Sequence, residues 1–315
     1  MASTLRVTTP AARIAMPGGL PVTDLLLLLM ALLWGVNFLV VKLGTQLFAP
    51  LAFNAARITL AVLVLWAIVL GRRAVLPTRA EIMRLLALGV LGNGFYQILF
   101  VEGLARTRPS DAALLLAASP VLTEVIGWMR GLERSGPRGM IGIALSLAGI
   151  GLVVSGAASS GGTVTSTATG NLLILGSCLC WALYSVFLKP FTERVDGLTL
   201  SAITMTGGLV PMLIVGMPAL LATPWSDVGV RGWSAVGYSG IVALVIAYLF
   251  WYRGVRVLGP TRAAMYSNLQ PLFAMAAAWL VLGDAPKQAQ IGGAVLILSG
   301  LLLTRLERTA RPVAG

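Results

Sequence analysis

The sequence predicts an all-α polytopic membrane protein, with ten transmembrane helices in two five-helix repeats of inverted topology. Three observations predict it. Of its 315 residues, 57% are hydrophobic and 11% charged, and the mean hydropathy is +0.90. That is too little charge to cover the surface of a soluble domain of this size. Apolar runs of about 20 residues, the length a helix needs to cross the bilayer core, recur along almost the whole chain. Finally, residues 103–122 match residues 254–273 at one fixed offset without a gap.

Residues 1–22 carry Arg6 and Arg13 and no acid before Asp24. This composition also suits a transit peptide, but we read the segment as a basic cytoplasmic tail. Charge, Pro and Gly clusters then divide the chain into spans at about 23–43, 51–70, 82–105, 110–132, 137–157, 170–190, 197–220, 232–255, 261–283 and 287–307. A Ser/Thr/Gly linker, 158–169, separates the repeats 23–157 and 170–307, and 308–315 form a cytoplasmic C-terminal tail. With the N-terminus inside, seventeen basic residues fall on the cytoplasmic side. Five fall outside: Lys42, Arg106, Arg108, Arg231 and Lys287. The positive-inside rule therefore places both termini in the cytoplasm and the linker outside.

The net charge of +12 is spread singly and in pairs between apolar runs, so no clustered basic face points to nucleic acid. The sequence has no histidine, which excludes HExxH metal sites and Ser-His or Cys-His nucleophile pairs. None of the three lysines follows a glycine, so no GK[ST] loop cradles a nucleotide. We expect no cofactor, no metal and no enzymatic activity. Cys178 and Cys180 are two apart on one helix, where side chains do not face each other, and read as packing residues.

Within the repeat, Gly103, Pro109, Ala112, Ala113 and Pro120 match Gly254, Pro260, Ala263, Ala264 and Pro271. The register continues through Trp128/Trp279, Glu133/Asp284, Gly142/Gly293 and Gly149/Gly300. Five spans per repeat is an odd number, so the second copy enters from the opposite side. Inverted pairs of this kind build many secondary transporters, with the substrate near the midplane where the repeats meet.

The W-G-x-N-F element at Trp34–Phe38, Arg57 in the second span and the blocks ending at Glu133 and Asp284 resemble the drug/metabolite transporter superfamily, specifically its EamA-type exporters. The likeness runs from about 23 to 307. It implies a multi-pass transporter of the bacterial cytoplasmic (inner) membrane, working by alternating access and exporting amino acids, other metabolites or cationic drugs. The aromatic interior favours amino-acid exporters of the YddG type. Thr204 stands near where a second-half arginine matching Arg57 would fall, so the halves are not functionally equivalent.

The candidate substrate-binding residues lie on helical stripes. Trp34, Asn37 and Phe38 share one face, as do Asn93, Tyr96, Gln97 and Phe100. Trp181, Tyr184 and Ser185 form a third stripe, with Tyr248 and Trp251 on a fourth and Tyr266, Asn268 and Gln270 in the ninth span. Two readings stay open for the amides: hydrogen bonds across helices, or a cavity that stacks rings on a solute and holds its polar end. Glu124, a lone carboxylate within a span, suits a proton carrier or a static hydrogen-bond partner. Arg57 and Glu102 lie close to the outer surface and are expected to pair. Glu133 and Asp284 read as loop or capping residues. Pro120 and Pro271 interrupt helices in matching places and serve either as hinges, with Gly89, Gly92, Gly94 and Gly240, or as static kinks. Expected partners are a small amphipathic solute and the lipid bilayer; the oligomeric state stays open, and a monomer would suffice. A quaternary-ammonium exporter and a membrane enzyme are the alternatives.

Overall fold

The computed structural model describes residues 22–116, 119–129, 137–158, 167–192, 194–258, 266–267 and 269–310. Among these residues there are helices, turns and coil, and no strand.

The first half contains α1 (Val22–Leu47), α2 (Pro50–Gly71), α3 (Arg79–Gly89), α4 (Tyr96–Ala105), α5 (Pro109–Leu116), α6 (Ser119–Met129) and α7 (Pro137–Ala158). The second contains α8 (Ala168–Thr192), α9 (Gly197–Ala222), α10 (Val230–Gly237), α11 (Ala247–Leu258), α12 (Gln270–Leu282) and α13 (Gln288–Ala310). Two π-helical segments join neighbours end to end: π1 (Val90–Phe95) links α3 to α4, and π2 (Tyr238–Ile246) links α10 to α11. Six segments among the described residues are long and apolar enough to cross a membrane: 22–47, 50–71, 79–105, 168–188, 197–222 and 230–254.

Local chemistry explains where several helices begin and end. Pro50 opens α2 in the first turn, where its missing N–H has no helical partner to lose. Thr78 and Glu81 cap each other's backbone at α3. Asp196 accepts from the N–H groups of Leu198 and Thr199 at the start of α9, both at 3.2 Å. Gly283 ends α12 with φ +68°, a conformation that costs glycine least.

The halves interlock. α1 lies against π2, α10, α11 and α12 of the second half, and α2 against α9. α3 and α9 approach so closely that a Cβ on Gly89 would sit 2.0 Å from the Thr204 carbonyl oxygen. The pair α7–α13 is packed through Gly149, Gly293 and Gly300, as their small size suggested, and a Cβ on Gly300 would meet Gly142 O at 2.3 Å.

Pro271 stands in the first turn of α12, where proline is tolerated, and Tyr266 and Ser267 just upstream are helical as well. Two further irregularities, π1 and π2, lie at mid-helix and coincide with the glycines Gly92, Gly94 and Gly240.

Candidate functional site

Arg57 organises the centre of the bundle. It lies two turns into α2 and is 1% exposed. Its Nε donates to Asn54 Oδ1, and its two terminal nitrogens donate to Ser239 Oγ and Gln97 Oε1, each at 2.6 Å. Asn54 stands three residues earlier on the same helix face, and its own Nδ2 donates to Gln97 O at 2.8 Å. Ser239 donates onward to Asn37 Oδ1 at 2.8 Å. One chain of hydrogen bonds thus joins α1, α2 and α4 of the first half to π2 of the second. At 1.5 Å of rise per residue, these groups sit roughly 10–15 Å along their helices from one end of the bundle.

Aromatic rings surround this polar centre. Phe53 and Phe100 flank the guanidinium, each with its centroid 5.8 Å away. From Phe100 a run of ring contacts continues through Tyr96, Trp181 and Tyr184 at 5.9, 5.2 and 5.4 Å. Phe38 joins Phe100 edge-on at 5.8 Å. A second run links Trp251, Trp34, Tyr248 and Tyr252 at 5.9, 5.3 and 6.1 Å. Trp34 Nε1 donates to Ala243 O in π2 at 2.9 Å, and Tyr238 donates back to Leu33 O at 3.0 Å. The Tyr184 hydroxyl donates to Thr204 Oγ1 at 3.2 Å, with the Asn93 and Tyr252 side chains beside it.

Sequence reasoning therefore named many of the residues that meet here. Trp34, Asn37, Phe38, Asn93, Tyr96, Gln97, Phe100, Trp181, Tyr184, Tyr248 and Trp251 form two connected aromatic and amide walls. Others stand apart. Ser185 donates to the Trp181 carbonyl of its own helix at 2.7 Å. Tyr266 hydrogen-bonds to Asp24 at the start of α1. Gln270 opens α12, with its backbone carbonyl against Gly35. Asn268 and Glu133, and the side chains of Glu124 and Pro120, lie outside the described residues.

The expected Arg57–Glu102 pair is corrected. Glu102 pairs with Arg106, one turn along its own helix, a local partner at i+4 that needs no tertiary search. Arg57 has no carboxylate among the described residues. Sequence reasoning missed Asn54, Phe53, Ser239 and Tyr252. The i−3 spacing of Asn54 from Arg57 was the one local signal available.

The model of the EamA-like transporter family matches this chain twice, at residues 22–155 and 168–306. The chain belongs to that family. This EamA-like transporter is a multi-pass membrane protein, and its relatives carry matching names. It is 26% identical over 280 residues to the uncharacterized transporter YyaM of Bacillus subtilis (strain 168), covering 88% of this chain and 92% of that protein. It is 27% identical over 298 residues to a probable amino-acid metabolite efflux pump of Salmonella typhimurium (strain LT2), with 91% and 97% covered. It is 28% identical over 252 residues to the uncharacterized inner membrane transporter YedA of Escherichia coli (strain K12), with 78% of each chain covered. One solved crystal structure matches with a TM-score of 0.63 at 22% identity, covering 93% of this chain and 99% of that one, a likeness of fold alone.

A second polar cluster in the transporter ties its halves together beyond the end of α4. Lys42 Nζ donates to the carbonyls of Leu104 at 3.1 Å and Ala105 at 2.8 Å, serving as a cationic cap on α4. Arg108 pairs with Asp111 at 3.0 Å and lies 3.8 Å from Asp284. Gln290 Nε2 donates to Ser110 Oγ at 2.8 Å and Asp111 Oδ1 at 2.7 Å. Burial pushes the Asp284 carboxyl above its ordinary value, with the Arg108 guanidinium pulling the other way. A shallow cleft of about 320 Å³, lined by Leu47, Thr223, Asp227 and Arg231 among others, opens near the loop after α9. None of the aromatic or amide residues described above lines it.

Proposed function

We propose that this transporter is a secondary carrier that exports amino acids or similar small amphipathic metabolites across the cytoplasmic membrane. It works by alternating access through a central site lined by aromatic and amide side chains. In this reading ten spans form two inverted five-helix repeats with both termini in the cytoplasm, and the site lies where the repeats meet. The observation that carries it is the hydrogen-bond chain Asn37–Ser239–Arg57–Gln97, which crosses between the halves inside a shell of rings. Ionisable groups within a membrane are expensive to bury and mark solute pathways.

The name of the Salmonella relative, a probable amino-acid metabolite efflux pump, supports the substrate class. The segments π1 and π2, at matching places in the two family-matched halves, supply weakened backbone at which helices bend. In this mechanism they act as hinges alongside Pro120 and Pro271. Glu124 is the proton-coupling residue of the proposal. The cationic-drug alternative has the rings it needs, but a buried arginine at their junction repels a cation.

The test is flux by purified protein in sealed liposomes, using labelled amino acids and one quaternary amine, with and without a pH gradient. Saturable amino-acid flux that falls on replacing Asn93 or Trp34 is expected. Flux of the amine alone would transfer the protein to drug export.

A further inference from the structure

The three acceptors that hold Arg57 are neutral, and this is a costly way to build a cross-link. A guanidinium taken out of water without a counter-charge costs several kcal/mol. A neutral side chain would join Asn54, Gln97 and Ser239 without that cost. The charge itself therefore needs a purpose. Three donors of the guanidinium's five are bonded. Among the described residues, the ionisable groups that act on it are the phenols Tyr96 and Tyr248, which are uncharged at neutral pH. The ion pairs among the described residues, Glu102–Arg106, Arg108–Asp111 and Arg108–Asp284, all leave Arg57 out.

We propose that Arg57 is the receptor for a carboxylate on the transported solute, whose apolar body lies against the rings beside the guanidinium. This rests on the transport reading above and names the substrate chemistry of that site. The planar fork of an arginine matches a carboxylate with two parallel N–H···O bonds. In that pair both partners are charged, whereas Ser239 and Gln97 offer the guanidinium only neutral oxygens. A carboxylate therefore displaces Ser239 Oγ and Gln97 Oε1 from the terminal nitrogens, while Asn54 keeps Nε in place. Ser239 is the second-half member of the chain. Releasing it from Arg57 unfastens π2 from α2, so docking of the solute and loosening of one tie between the halves are the same event. No bond of the solute is made or broken.

The test uses the purified full chain in detergent and four ligands of one shape. L-phenylalanine carries both charges and 3-phenylpropionate only the carboxylate. Phenethylamine carries only the ammonium, and L-phenylalaninamide has its carboxylate capped. Binding is read by tryptophan fluorescence and thermal stabilisation. Wild type should bind both acids roughly 10- to 100-fold more tightly than the amine and the amide, the range expected for a charged hydrogen-bonded contact. Arg57→Gln should erase that preference, and Arg57→Lys, which keeps the charge without the fork, should fall between. Tighter binding of phenylalanine than of phenylpropionate assigns the site to amino acids, and the reverse order to plain organic acids; either supports the carboxylate site. Amine or amide binding as tight as the acids, or no binding of either acid, overturns it on wild type alone, whether or not the variants fold. A folded Arg57→Gln protein that still prefers acids also overturns it, leaving Arg57 as a cross-link. Flux of the same ligands in liposomes separates the two claims. Saturable flux of all four alike removes the carboxylate receptor and keeps the transporter. Acid-selective binding without flux does the reverse.

Discussion

α2 and α9 run side by side at the centre of the bundle, one from each family-matched half. The eighth residue of each is Arg57 on α2 and Thr204 on α9. Arg57 reaches out to α4 and π2 for its acceptors. Thr204 turns back on its own helix, donating to Leu200 O at 2.9 Å, and accepts from Tyr184. Its backbone lies against Gly89, where a Cβ would sit 2.0 Å from the Thr204 carbonyl oxygen. The same place in the repeat thus serves charge in one half and close packing in the other. Related backbones keep the irregular segments π1 and π2 in common, while the buried arginine belongs to one copy.

The harshest way to break this comparison is to move the charge. Thr204→Arg places a guanidinium in a position 1% exposed, against the Gly89 backbone. It should cost about 3–5 kcal/mol and remove the monodisperse peak in size-exclusion chromatography. A well-folded variant would show that packing does not keep the second half uncharged. Gln97→Glu gives Arg57 a carboxylate of its own. Thermal stability should hold or rise, while affinity for a solute carboxylate drops about 10-fold or more; unchanged affinity in a binding titration would count against a free guanidinium. Gly89→Ala should cost about 1–3 kcal/mol through overpacking. Gly240→Ala, whose Cβ would lie 2.8 Å from Arg57 O where that of Gly89 lies 2.0 Å from Thr204 O, should lower the melting temperature less.

The smallest effect belongs to Asp284. Its folded-state pKa is raised, chiefly by burial, so the folded chain holds that proton more tightly than the unfolded chain. The contribution is full below the ordinary carboxylate value and is lost as pH rises through the raised one. Melting curves across that window should slope gently downward with pH for wild type and lie flatter for Asp284→Asn.

Particular residues show how far the sequence could be read. The starts of α2, α3 and α9 follow from Pro50, the Thr78/Glu81 box and Asp196, all within one turn of chain. The stripe Asn93–Tyr96–Gln97–Phe100 was visible because helical spacing alone puts it on one face. The π turns were invisible, since they change no residue spacing enough to mark a hydropathy pattern. Ser239 was invisible too, lying 182 residues from Arg57 with no local feature to single it out.

The sequence by itself determined the membrane-spanning length of the helices, the duplication and the pairing of amides with rings, because each follows from composition and short-range period. The tertiary structure decided which partner each polar group takes. Glu102 fell to Arg106 because a neighbour at i+4 is always within reach. Arg57 is held by Asn54, Gln97 and Ser239 because, inside a low-dielectric bundle, a buried donor must find whatever oxygen the packed helices bring to it.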